Sequence, residues 1–203
     1  QGMHTVYSLG GGCGVCEGAH HHFCGEMPTY HSAFNDLGGR ELCGCTVLPI
    51  KGGKSGPAPS ISVDSDAPDI VDEALTYFRA NVFFTSFDLQ GGADRVLVYL
   101  TLFIHSCLKV VEKIDNAGDG ATKLTQLVGK QPVIPGDSSW PLGSMFRAPA
   151  TGAEADHFRA YLRQLRESTV RRLLPRLYLE SGEPNKWWLM FSKRKFMKKE
   201  LRE

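Results

Sequence analysis

The sequence predicts an all-α fold of about five helices, with one apolar central helix surrounded by the others and long extended connections. The main observation is residues 93–114, where only Thr101 interrupts the apolar run between positions 96 and 104. A helix that is apolar on every side is either enclosed by other helices or spans a membrane. This run is far shorter than the ~20 residues that cross a bilayer, so we expect an enclosed helix and no membrane insertion.

A buried strand is the alternative for so short an apolar run, because periodicity alone does not separate the two. The helix is favoured because the apolar pattern continues after His105, as Cys107, Leu108, Val110, Val111 and Ile114. No other segment of the chain offers as much apolar surface for burial.

Length and charge limit the number of domains and the kind of partner. The chain has 203 residues, 42% of them hydrophobic, which suffices for one domain with a sizeable core. The net charge of +1 conceals an uneven distribution. From His157 to the end there are thirteen Lys or Arg and five Asp or Glu, whereas the remainder has ten and seventeen. A basic C-terminal end on an acidic body indicates a negatively charged partner.

Residues 1–26 are rich in glycine and lack apolar periodicity, so we expect a disordered extension ahead of a single helical domain at 27–203. The alternative is a zinc site, for which the ligand types are present at Cys13, Cys16, His20, His21, His22 and Cys24. Such a site would have to supply its own folding energy, which favours the extension. The cysteines do not form a disulfide framework and no secretory segment is recognisable, so a reducing cytoplasm is expected.

Residues 28–65 are predicted to be largely non-helical, with an extended, half-buried stretch at 47–50. The sequence 53–55 has the Gly-Lys-Ser of a phosphate loop, but Leu48 stands where such a loop needs its first glycine. Nucleotide binding is therefore excluded there. Cys43 and Cys45 are too closely spaced for a usual metal-binding pair.

The first helix is predicted to open at Asp66, with Pro68 in its first turn and acidic residues near the positive end of the dipole. Its apolar face comprises Ile70, Val71, Ala74, Leu75, Phe78 and Val82. After the central helix we expect a polar loop at 116–120 and a short helix around 123–128. Residues 131–149 contain four prolines and are predicted to be an extended segment held by Trp140, Leu142, Met145 and Phe146.

Thr151 and Glu154 form a capping box that opens the fourth helix. Its leucines are predicted to face the core, and the other face carries Arg159, Arg163, Arg166, Arg171 and Arg172. Pro175 should kink or end this helix. A last helix is expected from about Asn185.

No grouping of acid, base and nucleophile is recognisable, so the sequence predicts neither an enzyme nor a bound cofactor. His105 and His157 lie on separate helices without a partner set. His105 follows directly on an apolar run and is interpreted as a core histidine.

Nine motifs follow one another in the order found in a known family. The first six are Met27-Pro-Thr-Tyr30-His31-Ser32, Leu48-Pro-Ile50, Lys54-x-Gly-Pro57-Ala-Pro59, Asp69-Ile-Val-Asp-Glu-Ala74, Ala80-Asn-Val-Phe-Phe84 and Ala93-Asp-Arg95. The others are Ile134-Pro-Gly136, Arg159-Ala-Tyr-Leu162 and Lys186-Trp-Trp188-x-x-Phe191-x-Lys-Arg194-x-Phe-Met197. Together they resemble the subunit 3 family of the actin-related protein 2/3 complex, and the resemblance spans 27 to about 201.

The resemblance implies a helical, non-catalytic subunit of a seven-subunit cytoplasmic assembly that nucleates branched actin filaments. It implies packing against the larger actin-related subunit, a contribution to contact with the mother filament, and a place in the actin cytoskeleton. Departures from the family pattern are the glycine-rich 116–120 region, Pro175 and the Cys43-Gly-Cys45 insert, and they bear on local geometry.

The C-terminal stretch is the candidate protein interface, comprising Trp187, Trp188, Phe191, Lys193, Arg194, Lys195, Phe196 and Lys198. Tryptophan is over-represented among interface hot spots, and basic side chains raise encounter rates with acidic actin. The same aromatic residues could instead bury the last helix in its own core, and the lysines could form a solvated face. A nucleic-acid-binding surface, in which bases stack on aromatic side chains between cations, is a further alternative.

Overall fold

Helices dominate this computed structural model, which describes residues 29–52 and 56–201. The predicted extension at 1–26, its cysteines and histidines, and the Gly-Lys-Ser at 53–55 lie outside the described residues. The described part contains five α-helices: α1 (Ile70–Asn81), α2 (Gly92–Val111), α3 (Ala117–Gly129), α4 (Gly152–Leu177) and α5 (Lys186–Leu189). There are also three short 3₁₀ turns: Gly143–Met145 lies between α3 and α4, and Met190–Lys193 and Phe196–Lys198 come after α5.

Two small sheets correct the prediction of a strictly all-α fold. Strands β1 (Glu41–Leu42) and β2 (Cys45–Thr46) pair antiparallel, whereas β3 (Ile50–Lys51) and β4 (Ser60–Ile61) pair parallel. The β1–β2 turn is made by Cys43 and Gly44, whose φ angles of 52° and 82° are both left-handed. These strands are two residues long and form because buried backbone polar groups of extended segments need partners. A two-residue strand is too short to show alternation, so the sequence carried no signal for it.

Helix α2 begins one residue before the predicted start and ends at Val111, three residues before the predicted end. Fifteen of its twenty residues are buried, including every position from 96 to 105. It contacts α1, α3, α4, α5, β2 and the 3₁₀ turn at Met190–Lys193. Thr101, the one polar residue of the apolar run, donates its hydroxyl to the Leu97 carbonyl at 2.8 Å, so no other element has to satisfy it.

Helix α1 begins at Ile70, so the predicted cap at Asp66 is wrong. The cap is Asp69, whose carboxylate accepts the backbone N–H groups of Val71 at 3.0 Å and Asp72 at 2.9 Å. Asp69 also accepts the N–H of Lys51 at 2.7 Å, which ties the start of α1 to strand β3. Tertiary contacts such as this one distinguish Asp69 from Asp66, which has the same side chain upstream.

Helix α3 is twice as long as predicted, because the region expected to be a polar loop forms its cap and first turn. Asn116 accepts the N–H of Asp119 at 2.8 Å and starts the helix at Ala117. Gly120 is buried against Tyr178, and a Cβ at this position would overlap the phenol ring. The glycine that argued against a helix is thus the residue that lets α3 pack closely on the chain after α4.

Helix α4 starts as predicted, with Thr151 capping Glu154 at 3.1 Å. The prediction that its arginines all lie on an outer face is wrong. Arg166 is fully buried, donates to the Tyr99 hydroxyl at 2.6 Å and lies over the rings of Tyr99 and Phe103. Pro175 lies inside α4, which ends two residues later at Leu177.

Arg172 was also predicted to lie on the outer face of α4, but it binds the start of α1 instead. It donates two hydrogen bonds to Asp69, at 2.6 and 2.7 Å, and one to Asp72 at 2.9 Å. Burial favours neutral carboxyls, but the charge and hydrogen bonds of Arg172 and Lys51 nevertheless hold the pKa of Asp72 below its usual value. A run of arginines at helical spacing therefore faces the protein interior as well as the solvent.

The segment after α3 is anchored as predicted, but it is extended only in part, because it contains several turns and the 3₁₀ turn Gly143–Met145. Residues 131–149 contain no α-helix, Leu142 and Phe146 are buried, and Trp140 and Met145 pack partly buried against the core. The Trp140 ring stacks near Tyr99 with centroids 6.3 Å apart, and Phe146 meets it edge-on at 5.0 Å. Aromatic contacts thus hold this proline-rich connection to α2.

The first described residues are anchored on Asp94, near the start of α2. Its carboxylate accepts the Ser32 N–H at 2.8 Å, the Gln90 N–H at 2.9 Å and the Asn35 amide at 2.9 Å, and it lies 2.8 Å from Nδ1 of His31. Burial would raise the pKa of Asp94, but these hydrogen bonds together lower it. Motifs that are far apart in the sequence therefore meet at one carboxylate.

Candidate interaction surface

The C-terminal segment, residues 185–201, turns sharply at each of its short helical pieces. Asn185 caps α5 by accepting the N–H of Trp187 at 3.1 Å, which confirms the predicted helix start. The helix has only four residues, so the predicted last helix is much shorter than expected. The segment continues as two 3₁₀ turns, the second of which contains Met197 at φ 52°. Trp187 and Trp188 are adjacent on this turn, so their side chains point in directions about 100° apart and reach different surroundings.

Three of the predicted interface aromatics belong to the core of the subunit. Trp188 is 8% exposed, and its ring stacks on Phe78 of α1 with centroids 5.9 Å apart. Phe191 is partly buried and meets Phe78 edge-on at 6.2 Å. Phe196 is completely buried and meets Phe87 edge-on at 6.0 Å. These contacts fasten the segment to α1 and to the residues after it.

A buried histidine adds a polar anchor to these aromatic contacts. Nε2 of His105 lies 3.0 Å from the Ser192 carbonyl, which joins α2 to the middle of the segment. Burial holds the pKa of His105 below its usual value, and the hydrogen bond to Ser192 opposes that shift only in part. The interpretation of His105 as a core histidine is confirmed.

Trp187 and Met190 remain largely exposed, at 74% and 57%. They are three residues apart on one helical turn and therefore share a side. Lys193 and Arg194 are also exposed, and the Arg194 guanidinium lies 5.2 Å from the ring centre of Phe83. We call Trp187, Met190, Lys193 and Arg194 the C-terminal surface. Exposed large apolar side chains beside cations are typical of a protein interface with an acidic partner.

Lys195 and Lys198 lie elsewhere. Both line a cavity together with residues 138–141, and the ammonium of Lys195 is 3.0 Å from Glu200. Glu200 also accepts from Lys109 at 3.1 Å, and these two lysines lower the pKa of Glu200. The sequence-predicted interface therefore divides into core residues, the C-terminal surface and a separate lysine-lined cavity.

Exposed aromatic residues outside the C-terminal segment were missed by the sequence reasoning. Phe83 is 44% exposed and meets Phe191 edge-on at 5.9 Å. Tyr30 is 41% exposed and stacks on Tyr77 at 4.8 Å. Phe83 directly follows the apolar face of α1, and its position in a motif was the one available signal.

The described residues contain neither a cluster of metal ligands nor a membrane-spanning helix. No three His, Cys, Asp or Glu side chains in ranges 29–52 and 56–201 come together as a metal site requires. Cys43 and Cys45 are buried without a disulfide, and burial raises the pKa of the Cys43 thiol to about 11. Over the same ranges, no helix has the length and apolar character needed to cross a bilayer.

Comparison with known proteins gives consistent matches over most of the chain. The family model described as P21-Arc, the ARP2/3 complex ARPC3 (21 kDa) subunit, matches residues 27–201. Actin-related protein 2/3 complex subunit 3 of Arabidopsis thaliana is 47% identical over 83% of this chain and 96% of its own length. The proteins of the same name from Dictyostelium discoideum and Saccharomyces cerevisiae are 43% and 34% identical, over 85% and 86% of this chain and 99% and 100% of their own lengths.

Proposed function

The chain belongs to the P21-Arc (ARPC3) family of ARP2/3 complex subunits, and we propose that it is a structural subunit of a seven-subunit complex that nucleates branched actin filaments. The family is one of structural subunits and not of enzymes. The observation that carries the proposal is the match over residues 27–201. In this role the chain works in the cytoplasm, at the actin cytoskeleton.

The C-terminal surface is proposed to pack against the larger actin-related subunit. Trp187 and Met190 expose a large apolar area. Covering this area with a partner stabilises the complex, by on the order of 25 cal/mol per Å² of apolar surface buried. Trp188 and Phe191 support this surface from below, because their contacts with Phe78 hold α5 in place. A rigid aromatic anchor loses little entropy on binding, which suits a permanent interface.

Lys193 and Arg194 are proposed to help the subunit contact the mother filament. Both side chains are exposed, and the described residues contain no carboxylate within ion-pair distance of either. Their charges are thus available to an acidic surface, where they raise the association rate and fix the register. Within the subunit, α2 is proposed to be the central apolar helix around which the other four are arranged, supported by its burial and its contacts.

A pull-down from cytosol of the source organism tests the assignment. The full chain, carrying an affinity tag, should recover two actin-related proteins and five smaller subunits, counting itself, in equal amounts. Trp187→Ala should lower the recovered amount of the larger actin-related protein, whereas Arg163→Ala, an exposed change on α4, should not. Recovery of the chain alone would contradict the proposal.

The nucleic-acid alternative is tested in the same preparation. A single-strand platform uses several aromatic side chains to stack successive bases. Trp187 and Phe83 are the exposed rings beside its cations, and Phe83 already contacts Arg194 at 5.2 Å and Phe191 at 5.9 Å, which leaves Trp187 for stacking. We therefore expect a short DNA oligomer to leave filament branching unchanged, and competition by the oligomer would favour the alternative.

A further inference from the structure

A cavity of about 330 Å³ lies between the proline-rich connection and the end of the chain. Its lining comprises Ser138, Ser139, Trp140, Pro141, Lys195, Lys198, Lys199 and Glu200. The volume lies at the lower end of the range for small-ligand sites. Two serine hydroxyls and three ammonium groups give it donors for an anion, and neither the C-terminal surface nor the aromatic core uses them.

The charges of this cavity are not balanced within it. Glu200 is its one carboxylate, and that group is shared between Lys195 at 3.0 Å and Lys109, outside the cavity, at 3.1 Å. The ammonium of Lys199 donates to the Pro141 carbonyl at 2.8 Å, which fixes its position but leaves its charge uncompensated. The ammonium of Lys198 has no acceptor among the described residues, although its backbone N–H donates to the Lys195 carbonyl. The lining therefore carries an excess of positive charge, about two units.

The lysines are held by a rigid turn and not by a flexible tail. Phe196 is completely buried, and the N–H of Met197 donates to the Phe84 carbonyl at 2.8 Å. Met197 and Lys198 both have left-handed φ angles, 52° and 55°, which residues with a side chain seldom adopt. On the opposite wall, the buried indole N–H of Trp140 has no acceptor among the described residues. The Trp140 ring is held by Tyr99, with centroids 6.3 Å apart, and by Phe146 at 5.0 Å. Both walls are thus anchored in the core, so the chain itself forms the cavity.

We propose that this cavity binds a phosphomonoester dianion, either a free phosphate compound or the headgroup of a phosphorylated lipid. A dianion matches the excess of charge, and its three oxygens match the ammonium groups of Lys195, Lys198 and Lys199. Lysine binds phosphate as a point charge, and serine hydroxyls supplement it with neutral donors. Lys198 makes the principal contact, because its ammonium has no described acceptor to give up.

The test measures binding of two probes to the full chain by titration calorimetry: inositol hexakisphosphate, and phosphatidylcholine vesicles with or without phosphatidylinositol bisphosphate. Lys198→Gln removes the principal contact and should weaken binding about tenfold, as expected when one charge-assisted hydrogen bond is lost. Ser139→Asp places a competing carboxylate at the cavity and should also weaken binding. The matched control is Lys186→Gln, which removes the same charge from an exposed position outside the cavity and should change the affinity less than about twofold.

The outcomes separate the two sources of phosphate and also test the site itself. Binding of the soluble probe alone identifies a free phosphate compound, and binding of the phosphorylated vesicles alone identifies a lipid headgroup. Absence of binding to either probe overturns the proposal, as does an equal loss for Lys186→Gln and Lys198→Gln, which would indicate diffuse attraction to the basic end. The pull-down described above is independent of the result, because Lys198 lies outside the C-terminal surface.

Discussion

Helix α4 and the C-terminal segment are both rich in basic residues, but they use their cations differently. On α4, Arg166 is buried beneath α2, and Arg172 binds the carboxylates that start α1. In the C-terminal segment, Lys193 and Arg194 are exposed, and no carboxylate among the described residues lies within ion-pair distance of either. The comparison teaches that basic residues are available to a partner, as we propose for Lys193 and Arg194, only where the fold brings no acid to them. Elsewhere the same residue types stabilise the subunit itself.

The largest expected loss of stability comes from removing a cation of α4. Arg172→Ala removes the partner of Asp69, whose side chain is fully buried, and leaves an uncompensated charge. Removing one partner of a buried ion pair typically costs 3–5 kcal/mol, and because Asp69 keeps its backbone donors we expect about 3 kcal/mol. Urea denaturation of the purified chain, followed by circular dichroism, measures this loss.

Arg163→Ala is the matched control for this measurement. Arg163 lies on the same helix, is exposed, and should change the free energy of unfolding by less than about 0.5 kcal/mol. If the two variants were equally stable, the ion pairs of Arg172 would contribute nothing, and the proposed distinction between the two basic regions would fail.

The second prediction separates the adjacent tryptophans. Trp188→Ala removes a buried ring that stacks on Phe78 and should cost about 3 kcal/mol of stability. Trp187→Ala removes a side chain that is 74% exposed and should cost less than about 0.5 kcal/mol. The same denaturation experiment measures both variants. A large loss for Trp187→Ala would mean that Trp187 serves the fold and not an interface.

The features that the sequence predicted correctly are those set by local patterns. The burial of positions 96–105, the Thr151 cap and the start of α5 at Asn185 each follow from residues within one or two turns. The anchoring of residues 131–149 follows from their large apolar side chains. Such signals are contained in a short window and need no knowledge of what lies opposite.

The features that could not be predicted from the sequence depend on contacts between residues that are far apart in the chain. Asp69 rather than Asp66 caps α1 because Lys51 and Arg172 meet it, and Arg166 is buried because Tyr99 accepts its hydrogen bond. The candidate site shows the same limit. Adjacent tryptophans are equivalent in a sequence, and only the fold shows that Trp188 is the one that stacks on Phe78 and is buried.

Acidity gives a third, smaller test of the α4 region. Arg172 lowers the pKa of Asp72 in the folded chain, so this carboxyl stabilises the fold above its unfolded pKa of about 3.9 and the stabilisation is lost as pH falls through the folded value. Asp94 contributes in the same direction, whereas the raised pKa of Glu73, caused by burial, acts in the opposite direction. Stability should therefore fall on acidification below about pH 4. The decline should be shallower in Arg172→Ala, and an unchanged slope would contradict the assignment.

The smallest expected effect on stability, and the most informative for function, comes from the C-terminal surface. Lys193→Glu with Arg194→Glu reverses two exposed cations and removes the stacking of Arg194 on Phe83, which should change the free energy of unfolding by less than about 1 kcal/mol. Branch density in a filament assay with the complete complex should nevertheless fall, because the reversed charges repel an acidic filament. Arg163→Glu with Arg176→Glu makes the same change in net charge at exposed positions of α4 and should leave branching intact. If both pairs lowered branching equally, net charge and not the position of these two cations would be responsible.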